Sequence, residues 1–250
     1  MEPETRDRFV RLWRKYFGGA ELPITFLYTD EEGHAEPVSP GSVPRCVIGA
    51  LAEVRKGRSL QLDAGSIGCP GGKRYLGYAE GIMPDFEYFL SYGIPGRLAG
   101  ERYCKSPELV REIMKTSPVL RAPARFIVFK RWDRLEEADT PEVVIFFAEP
   151  DVLAGLFTLA RFDAVERDTV CAPFGSGCST IVLHPYLERE SRRPRAVIGM
   201  FDPSARPFVP ASVVTLSVPM SKFLTMIDNM EESFLITETW SRIRERMDSA

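Results

Sequence analysis

At 250 residues the chain sits where a single hydrophobic core stops growing, so it reads as one large two-lobed domain spanning 1–250. With 44% hydrophobic and 27% charged residues, its composition excludes a disordered tail, a collagen and a coiled coil. A net charge of -3, from 32 basic against 35 acidic residues, supplies no global field for a phosphate backbone and disfavours a nucleic-acid partner.

The opening residues carry a charge every two or three positions. They predict an amphipathic helix over 3–17 with Val10, Leu12, Trp13 and Phe17 partly on one face, not the apolar region of a signal peptide. No apolar run approaches the roughly 20 residues of a membrane span. A cytoplasmic protein without a membrane partner is expected. Five cysteines are too few for a disulfide scaffold, and an odd number points to free thiols, metal ligands or redox chemistry.

Residues 24–28 form a short β-rich run, followed by a polar loop to residue 44. From Cys46, the apolar positions Val47, Ile48, Ala50, Leu51 and Val54, with Gly57 after them, predict a helix with a C-terminal stop. The segment SLQLD alternates as a strand. The next loop, GSIGCPGGKRYLGY, places five glycines and one proline around Cys69, which is turn chemistry. Ser106 caps a helix with Pro107 in its first turn, and Pro118 forbids its extension. RFIVFKRW and EVVIFFAE are strands dense in branched and aromatic residues. Glu149-Pro150-Asp151 then starts a helix through Leu153, Leu156 and Leu159. A second Gly-rich turn, APFGSGCST, leads to a short helix, the strands AVIGMF and VVTLSV, and closing helices around Phe223–Met230 and over 237–248.

The two Gly-rich regions suggest an internal duplication with halves 20–120 and 121–233. Each half runs strand, turn, cysteine (Cys46 or Cys178), helix, strand and polar loop, and CPGGKRYL (69–76) aligns loosely with DPSARPFV (202–209). Any two βαβ segments align somewhat, which is the bland alternative. The expected fold is α/β or α+β: two similar lobes, each a small mixed sheet with flanking helices, with the Gly-rich loops meeting at their interface and Cys46 and Cys178 related by a pseudo-twofold axis.

Cys178 is the sharpest candidate for chemistry. The turn containing Gly175 and Gly177 opens a helix whose unpaired N–H groups lower a thiol's pKa and favour an anion. That geometry serves a nucleophile, a metal ligand or a phosphate cradle alike, and matches neither a Walker motif nor a GxSxG elbow. Cys69 lies among Gly71, Gly72, Lys73 and Arg74, in a loop with no apolar face for a thiol to pack on. Cys46 begins a helix, Cys171 precedes Cys178 by seven residues, and Cys104 reads as structural. Cys46, Cys69, Cys171 and Cys178 together would suit zinc or an iron–sulfur cluster, although no pair has a recognised ligand spacing. His184, six residues past Cys178, is roughly 240° round a regular helix and does not share its face. Lys73, Arg74, Arg97 and Arg206 offer an anion pocket, and the aromatic group from Tyr75 to Tyr92 reads as core or interface.

The segments RCVIGALAEVRKGRSLQLDAGSIGCPGGKRYLGY (45–78), FGSGCSTIVLHPYLE (174–188) and AVIGMFDPSARPFVPASVVTLSVPMSKF (196–223) resemble the domain-of-unknown-function 169 family of bacteria and archaea. The resemblance covers most of the chain, implies no particular reaction, and singles out Cys46, Cys69 and Cys178. The leading expectation is a cysteine-centred metal or iron–sulfur binding protein in redox metabolism. Its rivals are an enzyme using Cys178 as nucleophile on a small anionic substrate, and a non-catalytic module for small-ligand binding or for forming a homo-oligomer. The first two require Cys69 and Cys178 to approach one another and Cys104 to stand apart.

Overall fold

The computed structural model describes residues 1–35 and 46–249. Helix α1 (Pro3–Phe17) buries Phe9, Leu12, Trp13, Tyr16 and Phe17. Then come β1 (Ile24–Thr29), α2 (Val47–Arg55) and β2 (Leu60–Leu62), followed by three helices, α3 (Pro70–Tyr75), α4 (Phe86–Phe89) and α5 (Pro107–Thr116). β3 (Phe126–Arg131), β4 (Val143–Ala148), α6 (Pro150–Arg161) and β5 (Val170–Cys171) lead to a helix that begins at Gly177, passes through a π turn at Ser179–Leu183 and continues as α7 (His184–Glu188). The chain closes with β6 (Ala196–Gly199), β7 (Val214–Pro219), α8 (Met220–Asn229) and α9 (Glu238–Asp248).

The strands form one sheet in the order β2-β3-β1-β4-β7-β6-β5, antiparallel except for the parallel β5–β6 pair. A separate small sheet in each lobe is therefore corrected to a single sheet across both halves. The reason lies in β1 and β4. Left at lobe edges, they would expose open backbone donors and acceptors beside apolar side chains, whereas pairing them, with Ile24 opposite Ile145, satisfies those groups internally.

Alternation along β4 shows how the layers are filled. Val143, Ile145 and Phe147 face one core with α2 and the 177–188 helix. Val144, Phe146 and Ala148 face the other core, where α1, α6, α8 and α9 pack. Covering on both faces explains why β3 and β4 read as continuous apolar runs. Helices α3 to α5 belong to an excursion between β2 and β3 that stands against the 177–188 helix, and this excursion builds the site. Among the described residues, no helix is long and apolar enough to cross a membrane.

Candidate functional site

Ser176 caps the 177–188 helix: the Ser179 amide donates to its Oγ at 3.2 Å, and the Ser179 and Thr180 amides donate to its carbonyl. Gly177 is required by packing, since a Cβ there would lie 3.0 Å from both Ala205 Cβ and Ile48 Cγ1. Cys178 does occupy the first helical turn, but it is only 5% exposed and belongs to the α2-side core. Burial pushes its thiol well above the ordinary range, and nearby Cys46, Cys69 and Asp202 push it further. Burial therefore acts against the thiolate expected from a helix N-terminus.

Cys69 is the N-cap of α3, its Sγ accepting the Gly72 amide hydrogen at 3.4 Å, with Pro70 in the first turn. Gly72 has no room for a side chain, because a Cβ would meet Val47 Cγ2 at 2.8 Å and Ile67 Cγ2 at 3.2 Å. Cys46 is the N-cap of α2; burial raises its thiol, and the Gly49 and Ile48 amides pull partly against that. The mutual influence of Cys46, Cys69, Cys178 and Asp202 places them in one neighbourhood at the meeting of α2, α3 and the 177–188 helix. Cys171 stands outside it. Burial raises its thiol too, its charged neighbours are Arg195, Glu188 and Asp168, and it lines a different cleft. Among the described residues, no three His, Cys, Asp or Glu side chains are grouped to hold a metal ion.

Beside this neighbourhood lies a cavity of about 370 Å³. One wall comes from the excursion, with Tyr75, Phe86, Phe89, Val110, Ile113 and Met114. The facing wall is the Gly-rich turn and its helix, with Phe174, Gly175, Leu183 and His184. Gly71 and Cys69 also line it, whereas Lys73 and Arg74 do not. The buried Arg74 guanidinium instead donates to the Glu80 carbonyl. Arg97 and Arg206 are likewise committed elsewhere, to Asp85 and to the carbonyls of residues 210–213. Of the four cations expected to form an anion pocket, none lines this cavity.

The polar lining forms a linked set. The Asp202 carboxylate accepts from the Ser204 amide at 2.9 Å, from Ser204 Oγ at 2.8 Å and from the Gly177 amide at 3.4 Å. Tyr103, whose phenol is raised chiefly by burial and further by Glu101, lines the cavity with Glu101 and Ser204. Burial holds the His184 imidazole below its ordinary value and hence neutral at pH 7; its Nε2 lies 3.9 Å from where a Gly175 Cβ would stand. Two larger clefts, of about 880 and 670 Å³, are more open and are lined largely by charged and polar residues.

Sequence reasoning missed Tyr103, Glu101, Asp202, Ser204 and His184 as lining residues. It also set Cys104 apart, and Cys104 shares this cavity with Cys69. Asp202 alone had left a signal, since it stands opposite Cys69 in the aligned loops.

A family model described as Uncharacterised ArCR, DUF169, matches residues 20–229. The chain belongs to the DUF169 family. The match contains every residue that lines the cavity of this DUF169 protein and leaves out α1 and α9. No curated protein and no solved structure matches the chain.

Proposed function

We propose that this DUF169 protein binds a small molecule with an apolar body in the cavity between the α3–α5 excursion and the 174–184 turn. The carrying observation is the cavity itself, whose size and mainly apolar lining, with a few linked polar groups, match the general form of small-ligand sites. Apolar side chains at its rim are available to a ligand: Phe174 is 68% and Ile113 44% exposed. Backbone strain agrees as well. Asp85, Arg102 and Met200, the described non-glycine residues with positive φ, each lie within two residues of a lining side chain.

Internal duplication belongs to the same reading. Outward from the central β1–β4 pair, the sheet runs β1-β3-β2 one way and β4-β7-β6 the other, which moves the boundary between the halves from residue 120 to beyond β3. A twofold axis between β1 and β4 would exchange α2 with the 177–188 helix, and Cys69 with Asp202. In support, the Lys73 amide bonds the Cys69 carbonyl as the Arg206 amide bonds the Asp202 carbonyl. The contacts cross in the same sense, α2 touching the 206–208 turn and α3 touching the 179–183 turn. On this reading the site lies at the seam of two related halves.

Nile red, an uncharged apolar dye, tests the function. Saturable binding of one equivalent is expected, with loss in Ile113→Glu at unchanged thermal unfolding. Absence of binding, or equal binding by the variant, would reject the reading. A second reading, an enzyme, is favoured by one observation: Cys69 and the neutral His184 line the same cavity. Its nucleophile is then Cys69 in place of Cys178. Stoichiometric loss of Cys69 labelling once a ligand occupies the cavity supports it, and labelling indifferent to ligand removes it.

A further inference from the structure

The cavity has a charge preference. Among the described residues that line it, the acidic side chains are Glu101 and Asp202, and no lysine or arginine belongs to the lining. The basic residues adjoining the lining in sequence turn away. Arg74 is tied to the Glu80 carbonyl, Arg111 pairs with Glu87 and Glu108 on the outer surface of α5, and Arg102 and Lys105, which flank Tyr103 and Cys104, are not part of the lining. His184 adds no positive charge, because burial keeps it neutral. The Asp202 carboxylate has three donors from Ser204 and Gly177, and the exposed Glu101 stands with it in the lining.

Aromatic side chains share the lining with these carboxylates. Tyr75, Phe86, Phe89, Tyr103 and Phe174 all contribute to the wall, and Phe86 and Phe89 lie with ring centroids 6.2 Å apart. Aromatic rings attract a cation placed over their faces and tolerate an apolar body, while an anion meets the repelling carboxylates. Resting on the ligand-binding reading above, we infer that the ligand is an organic cation: an apolar body carrying an amine or a quaternary ammonium group. This reverses the preference for anions that Lys73 and Arg74 suggest in the sequence.

Three ligands of one chain length separate the two levels. Decan-1-ol, decylammonium and decanoate are titrated calorimetrically into the full chain at pH 7 and low salt. Decan-1-ol reports the apolar cavity, and the other two report charge. Decylammonium should bind about tenfold more tightly than decan-1-ol, as a charge-assisted hydrogen bond to a carboxylate predicts, and decanoate should be weakest. In Glu101→Gln/Asp202→Asn the order should collapse, with the three affinities converging. Glu101→Gln alone, at an exposed position, should narrow the gap and guards against a folding defect at Asp202. If decan-1-ol binds and decanoate matches or exceeds decylammonium, the charge preference is wrong and the cavity reading survives. If none of the three binds, the cavity reading itself fails.

Discussion

Cys178 offers a sharp test of how burial and helix position compete. A thiol with the ordinary pKa of about 8.5 is roughly 3% thiolate at pH 7, and every unit upward removes a further factor of ten. Burial pushes Cys178 well up, so its reactive fraction falls far below that of a free thiol. Access compounds the loss. At 5% exposure inside the α2-side core, Cys178 reacts only from an opened state, and an opening free energy of about 5 kcal/mol populates such a state roughly once in several thousand molecules. Cys69 and Cys104 are half-buried and line the cavity, so neither needs the core to open. Pulse alkylation with iodoacetamide at pH 7, read by peptide mass spectrometry, should therefore modify Cys178 at least about a thousandfold more slowly than Cys104. Denaturant should erase the difference. Modification of Cys178 at the rate of Cys104 in the folded protein would refute the reasoning and restore a reactive thiolate at the helix N-terminus.

Three further outcomes follow from the packing. Gly72→Ala should cost about 1–3 kcal/mol in urea unfolding, because its Cβ would press on Val47 in the core, whereas Gly81→Ala, with open space around it, should be near neutral. Lys130 and Asp139 are both buried, with Nζ 2.9 Å from the carboxylate, so Lys130→Met should destabilise by about 3–5 kcal/mol, and Lys130→Met/Asp139→Leu should recover much of the loss. His184 is held below its ordinary pKa of about 6.5, so the unfolded chain takes up that proton first as pH falls. Its contribution is complete above about pH 6.5 and is lost below it; the drop in urea midpoint from pH 7.5 to 5 should be smaller in His184→Gln than in the parent.

What the sequence discloses and what it hides divide along the range of the interactions. The helix at 107–116 is written locally: the Ser106 side chain accepts the Leu109 amide, and Pro107 occupies the first turn. The strands at 126–131 and 143–148 are equally plain, because a surface covered on both faces needs unbroken apolar runs. Which strand pairs with which is not written there, since Ile24 could face many apolar partners as well as Ile145. Cys178 shows the same limit. Its place at a helix start is legible, but its burial comes from a core shared with Ile48, Met200 and Ala205, residues distant in sequence. On a regular helix His184 falls off the face that carries Cys178. The π turn alters that rotation, and the cavity it reaches is shared with Cys69 from the other half of the chain. The excursion from α3 to α5 was hardest to read, because a cavity wall such as Phe86, Phe89 and Met114 has the composition of a core.

The central claim is that the 370 Å³ cavity takes an apolar-bodied ligand, and methionine methyls report on it directly. Of the eight methionines, Met83 and Met114 line the cavity, while Met226 and Met230 are buried in the core on the opposite face of the sheet. With ¹³C-methyl methionine, titration of decan-1-ol should shift the Met83 and Met114 resonances along one saturating isotherm and leave those of Met226 and Met230 in place. Shifts confined to Met226 and Met230, or no saturable shift at Met83 and Met114, would contradict the account.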